Sequence, residues 1–326
     1  MVKTPIVSVV IPAYNHEDYV QETISSIIHQ SYPLIEIIVI DDGSTDATWK
    51  KIRDCKEACE KRFLRTVLLT QNNEGRCVTL NRLLEQTTGD FVYIIASDDI
   101  AKPDAIDTLV SFLNLHPEYV LAVGDNELID TGGNTIYWNR NLCAVYDEGE
   151  AVYKTFASFL EQSCGFSFCS DDFGSYSSFC RRNYIPNGYL VRNAVLKSHV
   201  RFTESAPLED YWLMLQLSKY GKMKYIDDIL FSYRWHQNNT VHNREYMQRI
   251  TVQTWNHEKN NVQKPGFEAF KHIFERESRK TTIKFQLGRL LKCYKEETIT
   301  GKRKVLELFG LSYILKDSTY KNTKEK

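Results

Sequence analysis

Two pairs of adjacent carboxylates, each following an apolar β-branched run, are the residues best suited to chemistry. Asp41-Asp42 opens the stretch Asp41-Asp42-Gly43-Ser44-Thr45-Asp46 directly after residues 35–40. Asp98-Asp99 closes Ala96-Ser97-Asp98-Asp99 directly after residues 91–95. In an open α/β sheet, ligands collect at the carboxyl ends of the strands. Adjacent Asp residues repel one another and hold a hard cation well. A metal beside a nucleotide diphosphate is the simplest use of that arrangement, whereas one such pair alone would suit a solvated turn.

The elements that must position these residues alternate. Residues 7–11, 35–40, 66–69 and 91–95 read as buried parallel strands. Residues 18–30 carry apolar side chains at Val20, Ile24, Ile27 and Ile28, which is helical spacing. Ser44-Thr45-Asp46 can cap the next helix, which runs towards Arg62. Asn72-Asn73-Glu74-Gly75 is a turn, residues 78–86 are helical, and Pro103 opens another helix. Strand–helix alternation with short links predicts a parallel α/β sheet with helices on both faces. Further on, residues 191–199 and 208–220 read as helices and residues 225–233 as the last strand. Beyond about residue 240 the pattern predicts a helical appendage.

Composition bounds the function. The 326 residues are 42% apolar, enough for a full core, with formal net charge −1 and no general case for nucleic-acid binding. Eight cysteines form no C-x-x-C pair, which argues against zinc. No signal peptide and no transmembrane run are expected, and free cysteines fit a reducing cytosol. From Lys271 onward there are fifteen Lys/Arg against seven Asp/Glu, so a basic tail follows an acidic body.

Residues 7–15, residues 41–46, Ser97-Asp98-Asp99, Leu208-Glu209-Asp210 and Tyr233-Arg234-Trp235-His236 together resemble inverting glycosyltransferase family 2, whose GT-A fold implies a mixed α/β sheet with helices on both faces. The resemblance covers roughly residues 5–242. It implies a catalytic domain over 1–242, with a nucleotide-sugar half (1–125) and an acceptor half (126–242), and a basic helical region over 243–326. It also implies a site. Pro12, Ala13, Tyr14 and Asn15 would line the nucleotide pocket, with Tyr14 stacking on the base or serving only as a turn aromatic. Asp42 would accept from the imide N–H of uracil or thymine, and Asp98 would face the ribose. Asp99 and His236 would approach Mn²⁺ or Mg²⁺. Ala96 stands where the family pattern often has another Asp. Arg76 would pair with phosphate or remain a surface cation.

The resemblance makes Asp210 the catalytic base. Inversion requires one in-line displacement at the anomeric carbon, with a carboxylate taking the proton of the attacking hydroxyl. Glu209 would orient the base or the acceptor, and both acids also suit the first turn of a helix. Tyr184-Ile185-Pro186-Asn187-Gly188 would lie near the acceptor, where Tyr176 and Phe179 could stack on sugar faces. The implied partners are a UDP- or dTDP-sugar donor and a lipid-linked saccharide of lipopolysaccharide core or O-antigen, with capsule or exopolysaccharide synthesis as the alternative. The implied place is the cytoplasmic face of the inner membrane. The tail would lie on an anionic membrane or pack as a helical cap. A nucleotidyltransferase would need glycines where Pro12-Ala13-Tyr14-Asn15 stands. A non-catalytic binding protein on the same scaffold would lack Asp99 or Asp210. A processive synthase would carry membrane spans.

Overall fold

The computed structural model describes residues 4–277 and four C-terminal strands at 280–287, 291–298, 301–308 and 311–319. The first half is strand–helix alternation: β1 (Val7–Ala13), α1 (Val20–Ile28), β2 (Ile35–Asp41), α2 (Thr48–Asp54), α3 (Lys56–Arg62), β3 (Arg65–Thr70), α4 (Arg76–Gln86) and β4 (Phe91–Ile94). Strands β1 and β2 are covered on both faces, which is why they read as predominantly apolar runs, with Ser8 and Glu36 the polar exceptions before Asp41, rather than alternating ones. The second half comprises β5 (Ile100–Ala101), α5 (Ala105–Leu115), β6 (Tyr119–Ile129), β7 (Thr135–Trp138), β8 (Ala144–Val145), α6 (Phe156–Cys164), α7 (Tyr176–Arg181), β9 (Tyr189–Arg192), α8 (Asn193–His199), α9 (Glu209–Leu217) and β10 (Lys222–Arg234).

The main sheet runs β3-β2-β1-β4-β9-β6-β10-β5. Strands β3, β2, β1 and β4 are parallel. Strand β9 is antiparallel to both β4 and β6, and β10 is parallel to β6. Two reversals cancel, so β10 points the same way as β4. The chain leaving β10 therefore emerges at the same sheet edge as the loops after β1, β2 and β4. One core lies under α4, α6–α9 and the helix that follows β10, the other under α1–α3 and α5.

Two expectations are corrected. Val191 and Arg192 belong to strand β9 rather than to a helix, because Tyr-Leu-Val-Arg fills the gap between β4 and β6; the helix starts only at Asn193. The C-terminal region is not helical throughout. Helices α10 (Arg244–Asn261) and α11 (Glu268–Glu277) are followed by an antiparallel meander of β11 (Lys280–Leu287), β12 (Leu291–Thr298), β13 (Gly301–Leu308) and β14 (Leu311–Thr319). Gly288, Gly301 and Gly310 recur at hairpin spacing, a strand signal that the mixed basic and apolar composition obscured. Phe274 of α11 is buried beside Trp255 of α10, at 4.8 Å between rings, so these helices pack as a cap. The side chains of the basic stretch beyond residue 277 lie outside the described residues. Among the described residues, no helix is long and apolar enough to cross a membrane.

Candidate active site

The loops after β1 and β2 are stitched together. Asn15, at φ 52°, donates its N–H to Ser44 Oγ at 2.9 Å and accepts from Thr45 N at 2.8 Å. Glu17 N donates to Asp46 Oδ2 at 3.1 Å, and Glu17 Oε2 accepts from Ala47 N at 2.8 Å. Gly43 needs its φ of +73°, and a Cβ there would lie 2.6 Å from Asn73 N. The loops after β2 and β3 are thus packed closely on each other, and Pro12, Ala13, Tyr14 and Asn15 line one end of a cleft with Asp42, Gly75 and Arg76. Tyr14 is 45% exposed at its rim, free to meet a flat ligand.

Asp42 is buried and carries three bonds from its own chain. Gln71 Nε2 and Glu74 N reach Oδ1 at 2.7 and 2.9 Å, and Gly75 N reaches Oδ2 at 3.0 Å. It therefore orders the 72–75 turn, and Oδ2 keeps capacity for a further donor. Arg76 also has an internal partner, with Nη1 donating to Glu209 Oε1 at 2.6 Å.

The other end of the cleft is lined by Ala96, Asp98, Asp99, Asn187, Gly188, Tyr189, Glu209, Asp210, Tyr233 and the 238–241 loop. Here Asp98 Oδ2 meets His236 Nε2 at 3.0 Å and His16 Nε2 at 3.8 Å. One ligand atom from each of His16, Asp98 and His236 falls within a mutual 4.8 Å, a grouping able to hold a metal ion. Ser97 Oγ contacts His16 Nδ1 at 2.8 Å and Asn238 N donates to His236 Nδ1 at 3.3 Å, so both rings are held in place. Burial, outweighing the pull of Asp98, holds His16 below its usual value and so favours the neutral imidazole that ligates.

Asp99 does not join this group. Its Oδ1 accepts from Arg234 N at 2.9 Å. Burial and the charge of Asp98 push Asp99 well up. Burial also opposes charge on Asp98, but the His236 hydrogen bond and the His16 and His236 charges outweigh it and hold Asp98 down. The pair therefore concentrates its charge on Asp98, facing the histidines. Arg234 locks the loop: buried, it donates to the carbonyls of Asp98 (2.8 Å), Asp130 (3.1 Å) and Thr131 (3.3 Å), and to Glu22 at 2.5 Å.

Asp210 sits in the first turn of α9. Its Oδ1 accepts from Tyr211 N at 2.6 Å and its Oδ2 from Asn183 Nδ2 at 3.1 Å. Burial, then the charge of Glu209, push its carboxyl up to about 6. It is half-buried by exposed area yet lies at the cleft floor, where desolvation is strong.

The structure thus gathers Pro12, Ala13, Tyr14, Asn15, Asp42, Arg76, Asp98, Asp99, Glu209 and Asp210 around one cleft, with His236 against Asp98. It removes Tyr176 and Phe179 from any sugar-facing role. Both are buried, Tyr176 bonded to Glu258 and Phe179 stacked on Tyr184 at 4.5 Å. Sequence reasoning missed His16, Asn183 and the 238–241 loop. For His16 the available signal was an imidazole directly after the β1 loop.

A half-sheet of parallel strands ending in acidic loops, a His/Asp/His group and a carboxylate across the same cleft define a GT-A type transferase site. Comparison with known proteins agrees. The family model described as glycosyl transferase family 2 matches residues 8–182. An uncharacterized glycosyltransferase of Haemophilus influenzae is 30% identical over 75% of this chain and 71% of its own length. The putative teichuronic acid biosynthesis glycosyltransferase TuaG of Bacillus subtilis is 38% identical over 33% of this chain and 42% of its own length. Among solved structures, a Pyrobaculum calidifontis mannosyltransferase in complex with GDP-Man and Mn²⁺ superposes with TM-score 0.59, at 16% identity, covering 85% of this chain and 70% of that one. S. aureus TarS 1–349 with UDP-GlcNAc gives TM-score 0.56 at 17% identity, covering 83% and 71%. At such identities the structural likeness is one of fold. The chain belongs to glycosyltransferase family 2, a family of inverting enzymes, and is a glycosyltransferase.

Proposed function

We propose that this enzyme is a metal-dependent inverting transferase that moves one hexosyl unit from a UDP- or dTDP-sugar to a lipid-linked glycan. The observation that carries the reading is the cleft itself, where a nucleotide-sized end, a metal-ligand group and a half-buried carboxylate adjoin. Tyr14 stacks on the base, and Asp42 Oδ2 accepts from its imide N–H. Uracil and thymine both carry that donor.

The donor set fits a metal. Two imidazoles and a carboxylate suit Mn²⁺ better than Mg²⁺, which prefers oxygen ligands. His16, Asp98 and His236 would hold it, while Asp99 supports the Arg234 backbone. When bound, the ion neutralises charge on the departing diphosphate. Asp210 takes the proton from the acceptor hydroxyl as that oxygen attacks the anomeric carbon, opposite the leaving nucleotide. Glu209 holds Arg76 at the cleft wall, where donor phosphate can compete for it.

The acceptor belongs to bacterial surface polysaccharide synthesis, read here as lipopolysaccharide core or O-antigen at the cytoplasmic membrane face. The likeness to TuaG, a putative teichuronic acid biosynthesis glycosyltransferase, supports a second reading, transfer into a capsule or exopolysaccharide. The basic C-terminal stretch would favour an anionic lipid surface. The test is release of nucleoside diphosphate from a panel of UDP-, dTDP- and GDP-sugars, with and without Mn²⁺, alongside donor-dependent thermal stabilisation. Metal-dependent turnover of one donor, lost in Asp210→Asn, supports the reading. Neither turnover nor metal-dependent stabilisation by any donor overturns it in favour of a non-catalytic binding role.

A further inference from the structure

Asn183 stands in the link between α7 and β9, 27 residues from Asp210 in sequence, and its amide nitrogen reaches Asp210 Oδ2 at 3.1 Å. The link is rigid on both sides of it. Tyr184 is buried, stacks on Phe179 with an interplanar angle of 8°, and its hydroxyl meets Ser178 Oγ at 2.5 Å and Gly174 N at 2.7 Å. Asn187 exchanges two bonds with Asn126, at 2.8 and 3.0 Å. A side chain on such a frame can fix a partner closely.

The other end of the same amide is unexplained by packing. Asn183 Oδ1 is buried and has no hydrogen-bond partner. An orphaned buried carbonyl is destabilising, because it has given up water without a replacement donor. Turning the amide over would set two acceptors against each other, because an ionised carboxylate cannot donate. The orphan is thus the consequence of committing the NH₂ group to Asp210. With Tyr211 N on Oδ1, the two bonds hold one rotamer of the carboxylate at the cleft floor.

We propose that Asn183 is a positioning residue for the base: its amide orients the Asp210 carboxylate and stabilises the ionised, proton-accepting form. This rests on the reading of Asp210 as base. The charged and titratable groups facing Asp210 are Glu209 on its own helix, Arg76 on α4, Tyr189 on β9 and Tyr233 on β10. Glu209 opposes ionisation and Arg76 favours it. Asn183 is a neutral donor that favours it with fixed geometry.

The test uses full-length protein labelled with ¹³Cγ-aspartate, with the Asp210 resonance assigned by its loss in Asp210→Asn. In Asn183→Ala the Asp210 titration moves up by about one pH unit, the loss of one hydrogen bond to the charged form. Asn183→Asp, of equal volume, moves it further by adding a like charge and remains readable if the alanine variant folds poorly. Release of nucleoside diphosphate from the UDP- or dTDP-sugar at pH 7 falls by more than the roughly twofold that the smaller ionised fraction alone would cause, with donor KM within twofold. A titration unmoved in both variants overturns the proposal, whatever happens to thermal stability. Turnover surviving in Asp210→Asn would instead overturn the base assignment itself, so the two failures are distinguishable.

Discussion

Arg76 and Glu209 are joined by a 2.6 Å ion pair although they lie 133 residues apart, one at the start of α4 and the other at the start of α9. The pair ties the nucleotide end of the cleft to the turn that carries Asp210. Glu209 is mostly buried and Arg76 about half exposed, so the pair contributes little to stability, about 1 kcal/mol or less. Its effect is electrostatic and local, because both charges act on Asp210 with opposite sign.

That opposition gives a prediction with a definite sign. The Glu209 charge raises the Asp210 pKa, so Glu209→Gln should move the acid limb of the pH–rate profile below about 6, towards the ordinary carboxylate range. Arg76→Met should move it the other way and raise donor KM, because the cation available to phosphate is gone. Profiles of nucleoside diphosphate release from pH 4.5 to 8 decide between these and a purely structural pair, which would leave both limbs in place.

Asp210 should also trade stability for function. Its folded pKa, about 6, lies above the ordinary Asp value. Such a group is stabilising below the unfolded pKa, and that contribution is lost as pH rises through the folded pKa. Asp210→Asn should therefore abolish transfer while raising the unfolding free energy at pH 8 by about 1–3 kcal/mol, a gain that vanishes near pH 4. Denaturant unfolding at the two pH values, wild type against variant, measures the difference. A gain equal at both would show that ionisation is not its cause.

The metal group makes a sharper claim about His16 than about Asp99. His16→Ala and His236→Ala should each weaken Mn²⁺ binding about 10- to 100-fold, read by Mn²⁺ electron paramagnetic resonance or calorimetry without donor. Asp99→Asn should weaken it less, because that carboxyl is turned to Arg234 N. An affinity that depends on Asp99 and not on His16 would reverse the assignment.

What the sequence disclosed follows from where each signal is local. Strands β1, β2 and β4 are predominantly apolar runs whose last residues enter the ligand edge, so Asp42 and Asp98 could be placed from composition and order alone. His16 could not, because nothing local distinguishes it from a turn histidine; only folding brings it within 3.8 Å of Asp98. Asn183 was hidden for the same reason. Val191 and Arg192, the last two residues of β9, fit either period from sequence, and the vacancy between β4 and β6 decides. Tyr176 and Phe179 were misplaced because exposure of an aromatic in a glycine-rich stretch is set by α9 and α10 packing over it.

That packing supports a last prediction. Lys219 and Glu258 form a fully buried ion pair at 2.7 Å that joins the turn after α9 to α10. Glu258 also accepts from Tyr176 at 2.5 Å and Gln216 at 2.8 Å, and Lys219 lies 4.9 Å from the Phe267 ring. Removing one partner strands the other charge out of water, which costs about 3–5 kcal/mol. Replacing both by apolar residues of similar volume removes that penalty. Glu258→Leu should therefore lower the denaturant midpoint strongly, and Lys219→Met should do the same. The double variant should recover most of the loss, since Gln216 and Tyr176 would then lack only neutral bonds. Turnover per folded molecule should change little in any of them, because neither residue lines the cleft. Additive losses in the double variant would show that the two charges do not depend on each other, and would refute the account of how α10 is held against the helix that bears the base.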